Sequence, residues 1–242
     1  MADSRPPQFD AIILAGGRGA RLGGADKPGL VVGSSTMAAT AARAAVAAGA
    51  GQIIRVGPDR PDVTAVTGAG AGRAGGLVVT REDPPGAGPV PALRAGLAEA
   101  GAPWVAVLAA DLPFLRGEQL RRLLTAACGG SSAGAVSADE SGAAQWLAGC
   151  WRTDRLGAAL AAYRGSSLRG LLGPLRPVLV QDAGSGDGPS PWLDCDTPSE
   201  LAAARAWLAG RPARPGPARP APVPPPDRLN HAATEPESEA SR

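Results

Sequence analysis

The greatest chemical capacity lies in one stretch, Leu14-Ala15-Gly16-Gly17-Arg18-Gly19-Ala20-Arg21-Leu22-Gly23-Gly24-Ala25-Asp26-Lys27. Glycines let backbone N–H groups approach an anion closely, and Arg21 and Lys27 bring charge to neutralise it. Arg18 reads as a solvent-facing charge. Lys27 is the one lysine in the chain; every other strongly basic residue is arginine. A compact ammonium differs from a planar guanidinium, so this position is expected to need the point charge. Downstream stand four candidate carboxylates, Asp83, Asp111, Asp194 and Asp196. Asp111 suits Mg²⁺, which takes one or two carboxylates together with substrate phosphates. Its alternative role is to cap the helix that follows. Asp194 and Asp196 lie two apart on an extended piece, so both can face one side; they read as a second metal ligand or as helix caps and surface charge.

Two common phosphate motifs fail. A P-loop needs G-x-x-x-x-G-K-[ST], but Lys27 follows Asp26 and precedes Pro28. A dinucleotide fingerprint needs G-x-G-x-x-G, and Leu22 occupies its last glycine. Histidine chemistry is also remote. The single histidine, His231, lies in a polar tail, which argues against a histidine base, a Ser-His-Asp triad or a His-ligated zinc in the folded part.

The elements that must hold these residues can be read in order. The apolar, β-branched run 11–14 predicts a buried strand that opens into the glycine loop. Residues 28–33 read as a short extended piece and 35–48 as an alanine-rich helix ended by Gly49. Strands are expected at 52–56, stopped by Gly57-Pro58, at 77–80 and at 104–109. A flexible glycine-alanine loop is expected at 68–76, and helices at about 90–100 and 117–127. Strand and helix in alternation predict an α/β parallel sheet with crossover helices. In the second half, 133–138, 145–151 and 178–180 read as strands, 154–163 and 168–172 as helices, and 184–190 as a mobile loop. Thr197 caps a last helix running to about 209, with Pro198 at its first position and Glu200 completing a capping box. Residues 1–9 read as a frayed end, 10–210 as one domain, and the proline-rich 211–242 as disordered.

Composition narrows the partners. At 242 residues and 44% hydrophobic content the chain can bury a core, one poor in aromatics. A net charge of +2 argues against nucleic acid or a membrane as the main partner. Three cysteines without a CxxC, and no signal peptide, lead us to expect reduced thiols in a cytoplasmic protein.

The motif L-A-G-G-x-x-x-R-x-G-G-x-D-K after the first strand resembles the signature of nucleotidyltransferases with the Rossmann-like sugar-nucleotide pyrophosphorylase fold. Within them it is most similar to the molybdenum cofactor guanylyltransferases. The likeness extends to Arg81-Glu82-Asp83 with the turns up to Leu93, to Ala110-Asp111-Leu112-Pro113-Phe114, which resembles a metal-binding D-x-P loop, and to the strand 145–151 on the acceptor side. Asp194-Cys195-Asp196-Thr197-Pro198 resembles an N-x-N-T-P close, with aspartates where the family has asparagines. The resemblance covers about residues 10–209.

It implies a three-layer sandwich, GTP and molybdopterin as substrates, and Mg²⁺ held by Asp111 with Asp194 or Asp196. It implies nucleotide contacts from Leu14, Ala15, Gly16, Gly17, Lys27, Asp83 and Asp111, and catalysis by Arg21, Lys27 and Asp111. The molybdopterin phosphate would attack the α-phosphorus of GTP and pyrophosphate would leave, without a protein nucleophile. Gly16 goes with guanine, where an alanine goes with cytosine. Molybdoenzymes or cofactor-delivery proteins would receive the product. The alternatives are a molybdopterin cytidylyltransferase, a sugar-1-phosphate nucleotidylyltransferase, or a non-catalytic chaperone that kept the nucleotide pocket.

Overall fold

Seven strands form one sheet, and the order of its strands follows from which of them bury both faces. The computed structural model describes residues 7–16, 27–59, 61–68, 76–181, 189–193, 195 and 197–210. Strand β1 (Phe9–Leu14) is buried along its whole length, as a central parallel strand must be. The first strand therefore begins earlier than its apolar run suggests. Phe9 packs in the core, and Asp10 accepts the backbone N–H groups of Gly101 and Ala102 at 2.9 Å each, which anchors it at the N-terminal edge. The expected frayed end is thus corrected at residue 9.

The remaining strands are β2 (Val31–Val32) and β3 (Ser35–Thr36), β4 (Ile53–Val56), β5 (Leu77–Thr80), β6 (Trp104–Ala109), β7 (Gly134–Ala138), β8 (Ala144–Arg152) and β9 (Val178–Gln181). The large sheet has the order β5-β4-β1-β6-β8-β7-β9, and β2 with β3 forms a separate hairpin. Only β8 pairs antiparallel with its neighbours, so the sheet is mixed but mostly parallel. A nine-residue strand reached by a short turn from β7 can reverse direction without a crossover helix.

Helices cover both faces, giving the expected α/β sandwich. They are α1 (Met37–Ala48), α2 (Pro61–Gly68), α3 (Pro89–Ala98), α4 (Gly117–Cys128), α5 (Thr153–Ala162), α6 (Leu168–Leu172) and α7 (Pro198–Ala209). Alternation along β1 divides the core. Ala11 and Ile13 pack with α1, α2 and α4, whereas Ile12 and Leu14 pack with α3, α5 and α6. Small residues bring the layers close. A Cβ on Gly96 would fall 2.7 Å from Ile12, so only glycine lets α3 lie flat on β1.

Three local readings change. Residues 27–29 form a 3-10 turn rather than an extended piece, and 31–36 close as a hairpin. Ser35 and Thr36 belong to that hairpin, with Thr36 as the N-cap of α1, its hydroxyl accepting from Ala39 N. Helix α2 fills a segment that carries no clear helical pattern. The Thr197 capping box is present as expected. Most of the expected loops 68–76 and 184–190, and all of 211–242, lie outside the described residues. Among the described residues, no helix is long and apolar enough to cross a membrane.

Candidate functional site

The strand order reverses at β1. Chain to one side runs through β4 and β5, and β6 returns on the other side, so the C-terminal ends of β1 and β6 flank the crevice where open α/β sheets bind ligands. Leu14 is in register with Ala109, and Ala110 N donates to Leu14 O at 3.2 Å. Asp111 is therefore brought beside Ala15 and Gly16 by the pairing of two buried strands. The opposite neighbour is held as tightly. Ala15 N donates to Val56 O at 2.8 Å, and Gly57 N donates to Thr80 O at 2.9 Å. Four strand ends thus stand in a row, bearing Gly16, Gly57, Glu82 and Asp111.

Gly57 is required by both conformation and space. Its φ is +136°, and a Cβ there would lie 3.1 to 3.3 Å from the backbone of Ala15 and Gly16. It presses on the root of the glycine loop and fixes where that loop departs.

Lys27 re-enters the site from the far end of the loop. It opens the 3-10 turn, whose Pro28 is buried, and Leu30 N donates back to Lys27 O at 3.1 Å. Lys27 Nζ lies 2.5 Å from Asp111 Oδ2, with the two side chains only 13% and 21% exposed. The other oxygen, Asp111 Oδ1, is buried without a hydrogen-bond partner. Asp111 does not cap α4, which begins six residues later at Gly117. The alternative role for this aspartate is thereby removed.

At the third strand end the expected nucleotide contact, Asp83, is exposed. Glu82, immediately before it, is only 7% exposed. Its Oε1 accepts from Gly86 N at 2.8 Å, and Oε2 is buried and unpartnered. Among the described atoms, the one within 4 Å of a Cβ built on Gly16 is Glu82 Oε1, at 3.8 Å. The signal was present in the sequence: extending the alternation of β5 puts Val78, Thr80 and Glu82 on the face that carries Leu14 and Gly16.

Leu14, Ala15, Gly16, Lys27 and Asp111 are therefore gathered at one crevice. Gly17, Arg18, Arg21, Asp194 and Asp196 lie outside the described residues. Among the described residues no cluster of three or more acidic, cysteine or histidine side chains is available to hold a metal. Asp111, with one oxygen orphaned in a buried position, fits a cation bound jointly with a ligand's own oxygens.

Two features are excluded from the chemistry. Burial pushes the Cys150 thiol well above its ordinary pKa, so it is an inert core group. Asp139, at the β7–β8 turn, accepts from Ser141, Ala143 and Gln145 and organises that turn.

Comparison with known proteins agrees with this geometry. Over 158 residues the chain is 38% identical to a phosphoenolpyruvate guanylyltransferase of Salinispora arenicola, covering 63% of this chain and 65% of that protein. Over 136 residues it is 35% identical to a molybdenum cofactor guanylyltransferase of Pseudomonas putida, covering 56% of this chain and 66% of that one. These matches span slightly under two thirds of either relative. A solved structure from Archaeoglobus fulgidus, a molybdopterin-guanine dinucleotide biosynthesis protein A, superposes with a TM-score of 0.62 at 16% identity, covering 83% of this chain and 98% of that one. At that identity it shows the fold alone. The family model described as the MobA-like NTP transferase domain matches residues 11–179, most of the folded sheet and the whole row of strand ends, and the chain belongs to that family of nucleotidyltransferases.

Proposed function

We propose that this protein transfers GMP from GTP to the terminal phosphate of molybdopterin, releasing pyrophosphate and forming the guanine dinucleotide. The observation that carries the reading is the Lys27–Asp111 pair at the mouth of the β1–β6 crevice. It sets a mobile cation and a fixed carboxylate where a triphosphate would lie along the glycine loop. An acceptor phosphate oxygen forms a bond to the α-phosphorus, and the bond from that phosphorus to the oxygen bridging the β-phosphate breaks. No protein nucleophile is needed, because phosphoryl-type transfer is chiefly positioning and charge neutralisation.

In this reading Leu14, Ala15, Gly16 and Gly17 line the nucleotide with backbone groups, and Asp83 contacts it from the rim. Lys27 releases Asp111 and takes up the charge of the departing phosphates, with Arg21 beside it. Asp111, with Asp194 or Asp196, would hold Mg²⁺. That ion, when bound, neutralises phosphate oxygens and orients them.

A second acceptor has specific support. One of the two relatives is named for guanylyl transfer to phosphoenolpyruvate, the other to the molybdenum cofactor. Both acceptors offer a phosphate oxygen, so the same crevice chemistry serves either. Pyrophosphate release measured with GTP or CTP against molybdopterin, phosphoenolpyruvate and a sugar 1-phosphate decides among them. Turnover with GTP and molybdopterin is expected. Turnover only with phosphoenolpyruvate moves the acceptor, turnover only with CTP moves the base, and nucleotide binding without turnover makes the protein a carrier.

A further inference from the structure

We infer that Trp146 is the platform on which the acceptor's ring system stacks, which makes the acceptor a phosphate ester carrying a planar heterocycle and not a small phosphate such as phosphoenolpyruvate. The inference rests on the guanylyl-transfer reading above and adds a specificity determinant for its second substrate.

An irregularity in the sheet turns this side chain toward the site. On β8, Ala148 and Cys150 pack with α1, α2 and α4, so strict alternation would send Trp146 to the same side. It does not go there. Val136 of β7 pairs with Gly149, but the next residue, Ser137, pairs with Gln145, so Trp146, Leu147 and Ala148 are extra on β8. Such a bulge re-aims the side chains it carries. Trp146 packs instead against the cluster that holds Ile12, Leu14 and Trp151. By the alternation of β1, that is also the face of Gly16.

Position along the strand completes the placement. β8 runs antiparallel to β6 and Ala148 pairs with Leu108, so the residues before Ala148 stand alongside the end of β6 that leads to Asp111. The strand is buried from Ala148 to Trp151 and half-buried from Ala144 to Leu147. Trp146 is thus a large aromatic surface left partly open at the rim of the crevice. Its benzenoid end is braced, with Cη2 3.9 Å from where a Cβ on Gly173 would project. Strand order says which substrate meets it. β1 and β4, whose ends bear Gly16 and Gly57, lie on one side of β6, and β8 lies on the other. A triphosphate held by the glycine loop and the Lys27–Asp111 pair occupies the first side, so the reactant that attacks it enters from the side of β8. An indole face supports a planar π-system whatever its substituents. Molybdopterin carries such a ring system, and phosphoenolpyruvate has none.

Pyrophosphate release with GTP, Mg²⁺ and molybdopterin tests this in the full-length wild type, Trp146→Phe and Trp146→Ala, with thermal melts of each. KM for molybdopterin is expected to rise at least about tenfold in Trp146→Ala and by less in Trp146→Phe, which keeps a smaller ring, while KM for GTP stays within about twofold of the wild type. A packing role alone lowers the melting temperature without splitting the two KM values. An unchanged KM for molybdopterin in folded Trp146→Ala, or a rise in KM for GTP in its place, overturns the inference and leaves the transfer reaction standing. Should Trp146→Ala fail to fold, the wild type decides: unphosphorylated pterin is expected to compete with molybdopterin and not with GTP, and absence of that competition overturns the inference. Turnover of the wild type with phosphoenolpyruvate and none with molybdopterin overturns the acceptor reading itself, and the inference with it.

Discussion

Lys27 Nζ sits 2.5 Å from Asp111 Oδ2, so the chain's one lysine rests on the carboxylate at the end of β6. Both groups are largely buried. Each therefore depends on the other for compensation until a ligand supplies phosphates and a cation. Lys27→Ala and Asp111→Asn are each expected to lower kcat/KM for GTP by at least about 100-fold, on the order of 2.7 kcal/mol. Steady-state pyrophosphate release measures this, and an unaltered rate in either variant removes the pair from the mechanism.

The same pair implies competition. A divalent ion binding the orphaned Oδ1 of Asp111 meets the repulsion of the ammonium held on Oδ2. Mn²⁺ without nucleotide is therefore expected to bind weakly to the wild type and more tightly, by about tenfold (1.4 kcal/mol), to Lys27→Ala. Titration calorimetry reads the difference directly. Equal affinities would show that the ion does not bind beside Lys27.

Gly57 sets the geometry of the loop root. A side chain at φ +136°, within about 3 Å of the Ala15 and Gly16 backbone, must displace one or the other. Gly57→Ala is expected to destabilise by roughly 1–3 kcal/mol and to weaken GTP binding beyond what the loss of folded protein explains. A variant with wild-type nucleotide affinity would mean that the loop adapts.

Asp10 serves the opposite edge of the sheet. It ties β1 to the start of β6 through two charge-assisted bonds. Asp10→Ala is expected to cost about 2–4 kcal/mol, from losing bonds worth roughly 1.5–3 kcal/mol each net of partial rehydration. Melting should fall by several degrees while the folded fraction binds GTP normally. A loss of affinity in the folded fraction would contradict this separation of edge and site.

The chain through Gly210 forms one compact unit, closed by α7 and its Thr197 cap. A chain ended at Gly210 is expected to keep its melting temperature and its GTP affinity. Loss of either would assign residues 211–242 a structural or binding role.

Much of this was legible before the fold was known. The alternation of apolar strands and alanine-rich helices carried the α/β class, because burial on both faces of a parallel strand leaves a continuous apolar run. The glycine loop with Lys27 and the strand-terminal Asp111 pointed to the ends of β1 and β6, where Lys27 and Asp111 meet. Local sequence did not reveal that β8 runs antiparallel or that residues 61–68 are helical. Direction and weak helices are settled by what packs against them.

What the sequence alone determined was the inventory: which groups exist, and which strand each one ends. Only the tertiary structure decided their pairing. Lys27 and Asp111 meet because β6 returns beside β1, a long-range register that no local pattern encodes. Which carboxylate after β5 is enclosed, Glu82 or Asp83, follows from the alternation of β5 on its parallel partner β4. Adjacent residues on an extended chain point to opposite faces, and only one face at that strand end is buried.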